Sequence, residues 1–296
     1  MRLAVTLVAV APADLAAALE AVEIALRRTG ATVGETDLLG PNAADVFVDS
    51  AFQTLIRERA EEALAGRAVD VCVQPAEGRR KRLLIADMDS TIINVECLDE
   101  LADFAGVKDA VSAITERAMA GELAFEGALR ERVAMLKGLG LTALQRCYDE
   151  RVRLNPGAET LVRTMAAHGA RCVLVSGGFT FFTGRVAAAA GFHADRANTL
   201  TEDGALLAGL VGEPILGREA KLAALEEEAA ALGATPANAL AVGDGANDLA
   251  MIEAAGLGIA YRAKPVVAAK ADARVDHADL TALLYFQGYR REDFAA

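Results

Sequence analysis

Two patterns in the 296-residue chain predict an α/β protein: a parallel sheet covered by helices on both faces, preceded by a smaller α+β domain. The first is a set of short, unbroken apolar runs, LLIAD, CVLVS and ALAVGD, separated by long helical segments. Strands buried on both faces read this way. The second is the periodicity of residues 1–75, which alternates strand and helix in the order βαββαβ.

Taken in order, residues 3–10 form an apolar strand and 12–28 an Ala-rich helix with Asp14 and Glu20 on its polar side. Residues 32–39 and 45–49 read as strands, split by Gly40, Pro41 and Asn42. A second helix covers 52–65, and a closing strand covers 69–73. This is the ferredoxin-like α+β order. It resembles the ACT-like domains attached to amino-acid enzymes, and it admits a packing or homodimer role as well as a ligand-sensing one. Residues 76–82, within the run PAEGRRKR, are polar, basic and turn-rich, and are expected to be a solvated linker.

Residues 83–296 form the second domain. Its strands at 83–87, 172–176 and 239–244 each end in a polar residue: Asp87, Ser176 and Asp244. Ligands of open α/β sheets bind outside the carboxyl ends of the strands, so these three converge on one candidate site. Between the first two strands, residues 97–153 are helical, at 98–105, 108–120, 125–136 and 142–151. A helical insertion at that point is a lid over the strand ends. Residues 285–296 carry no usable pattern.

The formal charge is −12, from 30 Lys+Arg and 42 Asp+Glu. It excludes a nucleic-acid backbone or an anionic membrane surface as the main partner, since both favour basic patches. No apolar run reaches the ~18 residues of a membrane span. Residues 1–11 mimic a secretory signal, with one cation and Ala9-Val10-Ala11, but are shorter than the usual ~15–30 residues. The four cysteines (Cys72, Cys97, Cys147 and Cys172) lack metal-ligand spacing and read as reduced thiols. A cytoplasmic protein is expected.

Four segments carry chemistry. Asp87-Met88-Asp89-Ser90-Thr91 places two carboxylates just past a buried strand, where they can act as nucleophile, base or metal ligand. Ser176-Gly177-Gly178 offers a hydroxyl and backbone N–H groups to an anion. Lys221 opens the helix at 219–232. Gly243-Asp244-Gly245-Ala246-Asn247-Asp248 adds two carboxylates suited to a hard divalent cation. This last run is not GxGxxG, because Asp248 replaces the final glycine, so a dinucleotide site is excluded. Singly, each segment also reads as an ordinary turn or a surface lysine. His168, His193 and His277 are scattered, and with no Arg-His-Gly and no HCx₅R motif present they argue against a His or Cys nucleophile.

Over residues 83–262 the four segments, in this order, resemble the haloacid dehalogenase-like (HAD) superfamily, whose core is a Rossmann-like sheet with a cap. Within it the chain is similar to the phosphoserine phosphatases, through DSTIINVE, AMAGELAFEGALRERV, VSGGFT and VGDGANDLAMI. The resemblance implies that Asp87 is the nucleophile and Asp89 the acid and base. It implies Mg²⁺ on the Asp87 side chain, the Asp89 main-chain carbonyl and Asp244, supported by Asp248. Ser176, Gly177 and Lys221 then hold phosphate, Asn247 touches the phosphate or the substrate backbone, Glu96 takes an ammonium, and Arg132, chosen over Arg130 by register, takes a carboxylate. Met119 and Phe125 close the pocket, and the implied substrate is O-phosphoserine. Two other readings stay open. One is a phosphatase or phosphotransferase for another small phosphorylated alcohol. The other is a non-catalytic amino-acid sensor.

Overall fold

The computed structural model describes residues 1–119 and 123–295. The N-terminal part contains β1 (Arg2–Ala9), α1 (Pro12–Arg27), β2 (Thr32–Gly40), β3 (Ala43–Asp49), α2 (Gln53–Ala63) and β4 (Val69–Pro75). Its antiparallel sheet has the order β2-β3-β1-β4. Leu3, Val5, Leu7 and Ala9 alternate onto the helix-covered face, against Leu15, Val22 and Leu26 of α1. Val8 and Cys72 point the other way, into the core of the larger part. Both faces of β1 are therefore buried, which is why its sequence after Arg2 is apolar apart from Thr6.

The chain continues through β5 (Leu83–Ala86) into four cap helices, α3 (Cys97–Phe104), α4 (Lys108–Met119), α5 (Phe125–Ala134) and α6 (Leu141–Arg151). It returns through α7 (Ala158–Ala167), β6 (Arg171–Phe179), α8 (Thr180–Ala190) and β7 (Ala194–Asn198). A hairpin of β8 (Leu200–Asp203) and β9 (Leu206–Val211) precedes α9 (Arg218–Ala231) and β10 (Ala239–Gly243). The remainder is α10 (Leu249–Ala254), β11 (Leu257–Tyr261), α11 (Pro265–Ala268), β12 (Ala273–Val275) and α12 (Ala282–Phe286).

The larger sheet is parallel, in the order β12-β11-β10-β5-β6-β7. Leu84, Leu174 and Val242 enter one apolar cluster, while Ile85, Val173 and Ala241 enter another on the opposite face. Covering both faces removes the polar alternation, so these strands were legible as unbroken apolar runs. β7 and β12 were not: β7 (ADRAN) is a polar edge strand and β12 has three residues, so neither carries such a run, whereas β11 (LGIAY) does carry one and was overlooked.

The cap is entered and left through paired segments. Asn94 N donates to Arg153 O (3.1 Å) and Asn155 N to Ile92 O (2.8 Å). The β8–β9 hairpin lies along the cap: Gly138 N donates to Leu207 O (2.9 Å), and Leu207 N to Leu139 O (2.8 Å).

The basic run between the domains differs from a free, solvated hinge. The Arg79 side chain is 13% exposed and pairs with the fully buried Asp45 at 2.5 Å. Arg80 stacks on Tyr289, 4.3 Å from the ring centroid. The patternless C-terminal residues supply the other half of this junction. Tyr285, Phe286 and Tyr289 are buried, and Gln74 Nε2 donates to Phe286 O (2.7 Å). The cations are engaged because the second face of the N-terminal sheet is docked rather than solvated.

Candidate active site

β10, β5 and β6 are neighbours in the sheet, so their carboxyl ends bring Asp244, Asp87 and Ser176 side by side. Asp87 N donates to Val242 O (3.0 Å), extending the sheet pairing by one residue and fixing the start of the acidic segment. The chain then turns sharply. Ile93 N bonds back to Met88 O (3.0 Å), and Ser90 takes φ +57°, in the left-handed region. A non-glycine residue is held there only by its surroundings.

At the centre is the buried ammonium of Lys221, 2% exposed, projecting from the first turn of α9. Its Nζ donates to Asp87 Oδ1 (2.5 Å) and to Asp248 Oδ1 (2.6 Å). Asp248 Oδ2 accepts from Gly245 N (3.0 Å), so both of its oxygens are engaged within the protein. Two glycines make room for this motif. A Cβ on Gly243 would collide with the Asp248 carboxyl, and one on Gly245 with Asn247 Oδ1. Carboxylate oxygens of Asp87, Asp244 and Asp248 lie within 4.8 Å of one another. An all-oxygen set of this charge suits a hard divalent cation.

Asp89 turns toward the cap. Its Oδ1 accepts from Cys97 N (2.9 Å), the first N–H of α3, and its Oδ2 accepts from Ser176 Oγ (3.1 Å). Ser176 Oγ also accepts from Gly178 N (2.8 Å). A Cβ on Gly178 would stand 2.9 Å from Asp89 Oδ2, so the close approach of these strand ends requires glycine.

The carboxyls crowd one another. Burial, then the Asp248 charge, push Asp87 well above the ordinary carboxylate range, and Lys221 only partly offsets this. Burial and the neighbouring Glu96 raise Asp89 to about 7. Burial, Asp248 and Glu96 raise Asp244 to about 6. Burial alone lowers the Lys221 ammonium, but Asp248 and Asp87 outweigh it and hold the group above its usual value. Three carboxyls with raised pKa values thus meet at one set of strand ends, the kind of perturbation that concentrates at functional sites.

The cap residues fall around this centre. Glu96 is exposed, and its Oε1 accepts from Ser90 Oγ (2.7 Å). Phe125 lies against the strand-end loops: a Cβ on Gly177 would be 3.3 Å from its Cζ, and one on Gly217 would be 3.3 Å from its Cδ1. Arg132 donates from Nε to Ala128 O (3.2 Å). Burial lowers its guanidinium pKa, while the charges of Asp99 and Glu96 act the other way. Arg130 points elsewhere and pairs with Glu213 at 2.6 Å. The Met119 side chain lies outside the described residues.

Sequence reasoning missed Asn198. It is 2% exposed; its Nδ2 donates to Gly177 O (2.9 Å) and Leu216 O (3.1 Å), and its Oδ1 accepts from Leu216 N (2.7 Å). It ties the Ser176–Gly177 turn to the segment leading into α9. It is a further polar strand end, and it was invisible because β7 itself was not recognised.

Residues 84–253 match the haloacid dehalogenase-like hydrolase family, and the chain belongs to that family. A HAD family hydrolase from Salmonella enterica serovar Typhi superimposes with a TM-score of 0.85 at 28% identity, over 97% of this chain and 98% of its own. Within the family the chain groups with the phosphoserine phosphatases. That from Polaromonas sp. is 45% identical over 224 residues, which cover 74% of this chain and 95% of the relative. A phosphoserine phosphatase solved as a phospho-aspartyl intermediate analogue has a TM-score of 0.65 at 37% identity, over 70% of this chain and 99% of its own. The fold is thus a HAD core with a parallel six-stranded sheet, carrying an additional antiparallel sheet at its N-terminus.

Proposed function

We propose that the chain hydrolyses O-phospho-L-serine to L-serine and phosphate, the last step of serine biosynthesis, through an aspartyl-phosphate on Asp87. The observation that carries this reading is the buried Lys221 ammonium joining Asp87 to Asp248 beside Asp89 and Ser176. A phosphate monoester repels a carboxylate nucleophile, and fixed positive charge at that carboxylate offsets the repulsion. Lys221, Ser176 and Gly177 hold the phosphoryl oxygens, and Asn247 touches the phosphate or the substrate backbone.

Asp87 attacks phosphorus, and the bond from phosphorus to the serine oxygen breaks. Asp89, raised to about 7, holds a proton near neutral pH and gives it to the departing alkoxide. It then takes a proton from water as that water attacks the phosphorus, and the bond between Asp87 and phosphorus breaks. The Asp87 side chain, the Asp89 carbonyl and Asp244 hold Mg²⁺, with Asp248 supporting them. When bound, Mg²⁺ supplies Lewis-acid stabilisation of phosphoryl charge.

Glu96 takes the substrate ammonium, Arg132 its carboxylate in a bidentate fork, and Phe125 and Met119 close the cap. No helix among the described residues is long and apolar enough to cross a membrane. Four free cysteines suit the reducing cytoplasm.

Phosphate release from O-phospho-L-serine, with and without Mg²⁺, tests the reading. Asp87→Asn is expected to abolish release while leaving the circular dichroism spectrum and thermal midpoint close to wild type. A fully active Asp87→Asn overturns the mechanism, and equal turnover of phosphoethanolamine removes the role of Arg132.

A further inference from the structure

Contacts from the N-terminal domain meet the larger sheet on both sides of its three-residue edge strand, β12. Before the strand, Arg57 of α2 donates from Nη1 to Ala271 O (3.3 Å). After it, Asp70 of β4 receives three consecutive backbone N–H groups. Asp276 N reaches Oδ1 at 2.9 Å and Ala278 N reaches Oδ2 at 2.7 Å, while His277 N lies 3.2 and 3.3 Å from the two oxygens. Asp70 is 4% exposed. A buried carboxylate is costly unless hydrogen bonds replace its hydration, and successive N–H groups provide that replacement. The reaction proposed above makes no use of it.

From β12 the connection runs toward the site. β12 pairs in parallel with β11, from Ile259↔Ala273 to Tyr261↔Val275. β11 leads directly into residues 262–264. Arg262 N donates to Val275 O (2.9 Å), and Arg262 sits at φ +46°, a conformation its neighbours must hold. Two residues later, Lys264 N donates to Asp244 O (3.1 Å). A contiguous set of backbone hydrogen bonds and one strand pairing therefore links a side chain of the N-terminal domain to the main chain of Asp244.

We infer that Asp70 is a positioning residue for Asp244: it anchors β12 from the N-terminal domain and so holds the 262–264 loop against which Asp244 rests. The inference rests on the reading of Asp244 as a metal ligand. It makes the N-terminal domain a brace for the metal site.

The test uses the full chain with Asp70→Ala, titrated with Mg²⁺ alone and followed by its thermal midpoint. The Mg²⁺ concentration giving half of the thermal shift is expected to rise about threefold to 10-fold, within the range for residues that act on a site through packed intermediates, with KM for O-phospho-L-serine at saturating Mg²⁺ within about twofold of wild type. Thr6→Val is the control. It removes the Thr6 Oγ1 to Asp45 Oδ1 bond (2.6 Å) in the same sheet without touching β12, so it should lower the thermal midpoint and leave the metal titration unchanged. Asp70→Asn keeps the size and one acceptor oxygen, and it serves if Asp70→Ala does not fold. An unchanged metal titration in the folded Asp70 variant overturns the inference, as does an equal shift in Thr6→Val. A wild-type chain with a thermal response to Mg²⁺ but no phosphate release overturns the substrate reading alone. A wild-type chain that releases phosphate but shows no thermal response to Mg²⁺ overturns the inference alone.

Discussion

The candidate active site and the domain junction each bury carboxylate beside a cation, with different charge balance. At the junction one guanidinium, Arg79, meets one carboxylate, Asp45, and Thr6 supplies a further bond at 2.6 Å. At the centre one ammonium, Lys221, faces Asp87 and Asp248, with Asp89 and Asp244 close by. The junction is neutralised from within. The centre keeps a negative surplus, which adds to burial in driving its carboxyl pKa values up and leaves it in need of external positive charge. Burial of charge marks both places, and imbalance distinguishes the candidate site. A third cluster is balanced like the junction: Glu228 lies between Arg171 (2.8 Å) and Arg196 (2.7 Å), and Arg196 also pairs with Glu227 (2.5 Å).

The largest effect is expected from Lys221→Ala. Removing one partner of a buried charge cluster costs about 3–5 kcal/mol, here because Asp87 and Asp248 are left facing each other. Losing a preorganised charge at the reacting group costs a further factor of about 10²–10³ in turnover. Urea unfolding and phosphate release measure the two separately. A variant as stable as wild type would erase the contrast with the junction.

Asp45→Asn is the matching change at the junction. It keeps an acceptor for Thr6 but removes the charge opposite Arg79, for an expected loss of about 1–3 kcal/mol. kcat and KM should stay at wild-type values, because Asp45 touches nothing at the strand ends. A turnover defect as large as that of Lys221→Ala would mean that the two clusters are not separate.

The smallest effect sharpens the sign of the comparison. Burial alone raises the Glu228 carboxyl, but Arg171 and Arg196 more than offset it and hold it below its ordinary value. A depressed folded-state pKa contributes stability above the unfolded value and loses it as pH falls through the folded one. Glu228→Gln should therefore lower the thermal midpoint at pH 7, and the gap from wild type should close under acid conditions below the ordinary glutamate range. A gap that widens on acidification would show that the cations do not dominate at Glu228.

Local pattern alone determined a good deal of this protein. The βαββαβ order, the helical cap and the strands β5, β6 and β10 were legible because period and unbroken apolar runs follow from which faces are buried. The segments around Asp87, Ser176, Lys221 and Asp244 were legible because each joins a strand end or helix start to a chemically distinctive side chain. Tertiary structure alone decided the rest. Asn198 sits on a polar edge strand that carries no burial signal. Ser90 meets Glu96 only because the chain turns back through a left-handed residue. The run PAEGRRKR looked solvated because composition records charge but not its partner, and Asp45 and Tyr289 are far away in sequence. Asp70 is the clearest case: its three N–H partners lie more than 200 residues downstream. Periodicity reports the environment of a backbone segment over a few residues. Which distant groups satisfy a buried charge is set only when the sheets dock.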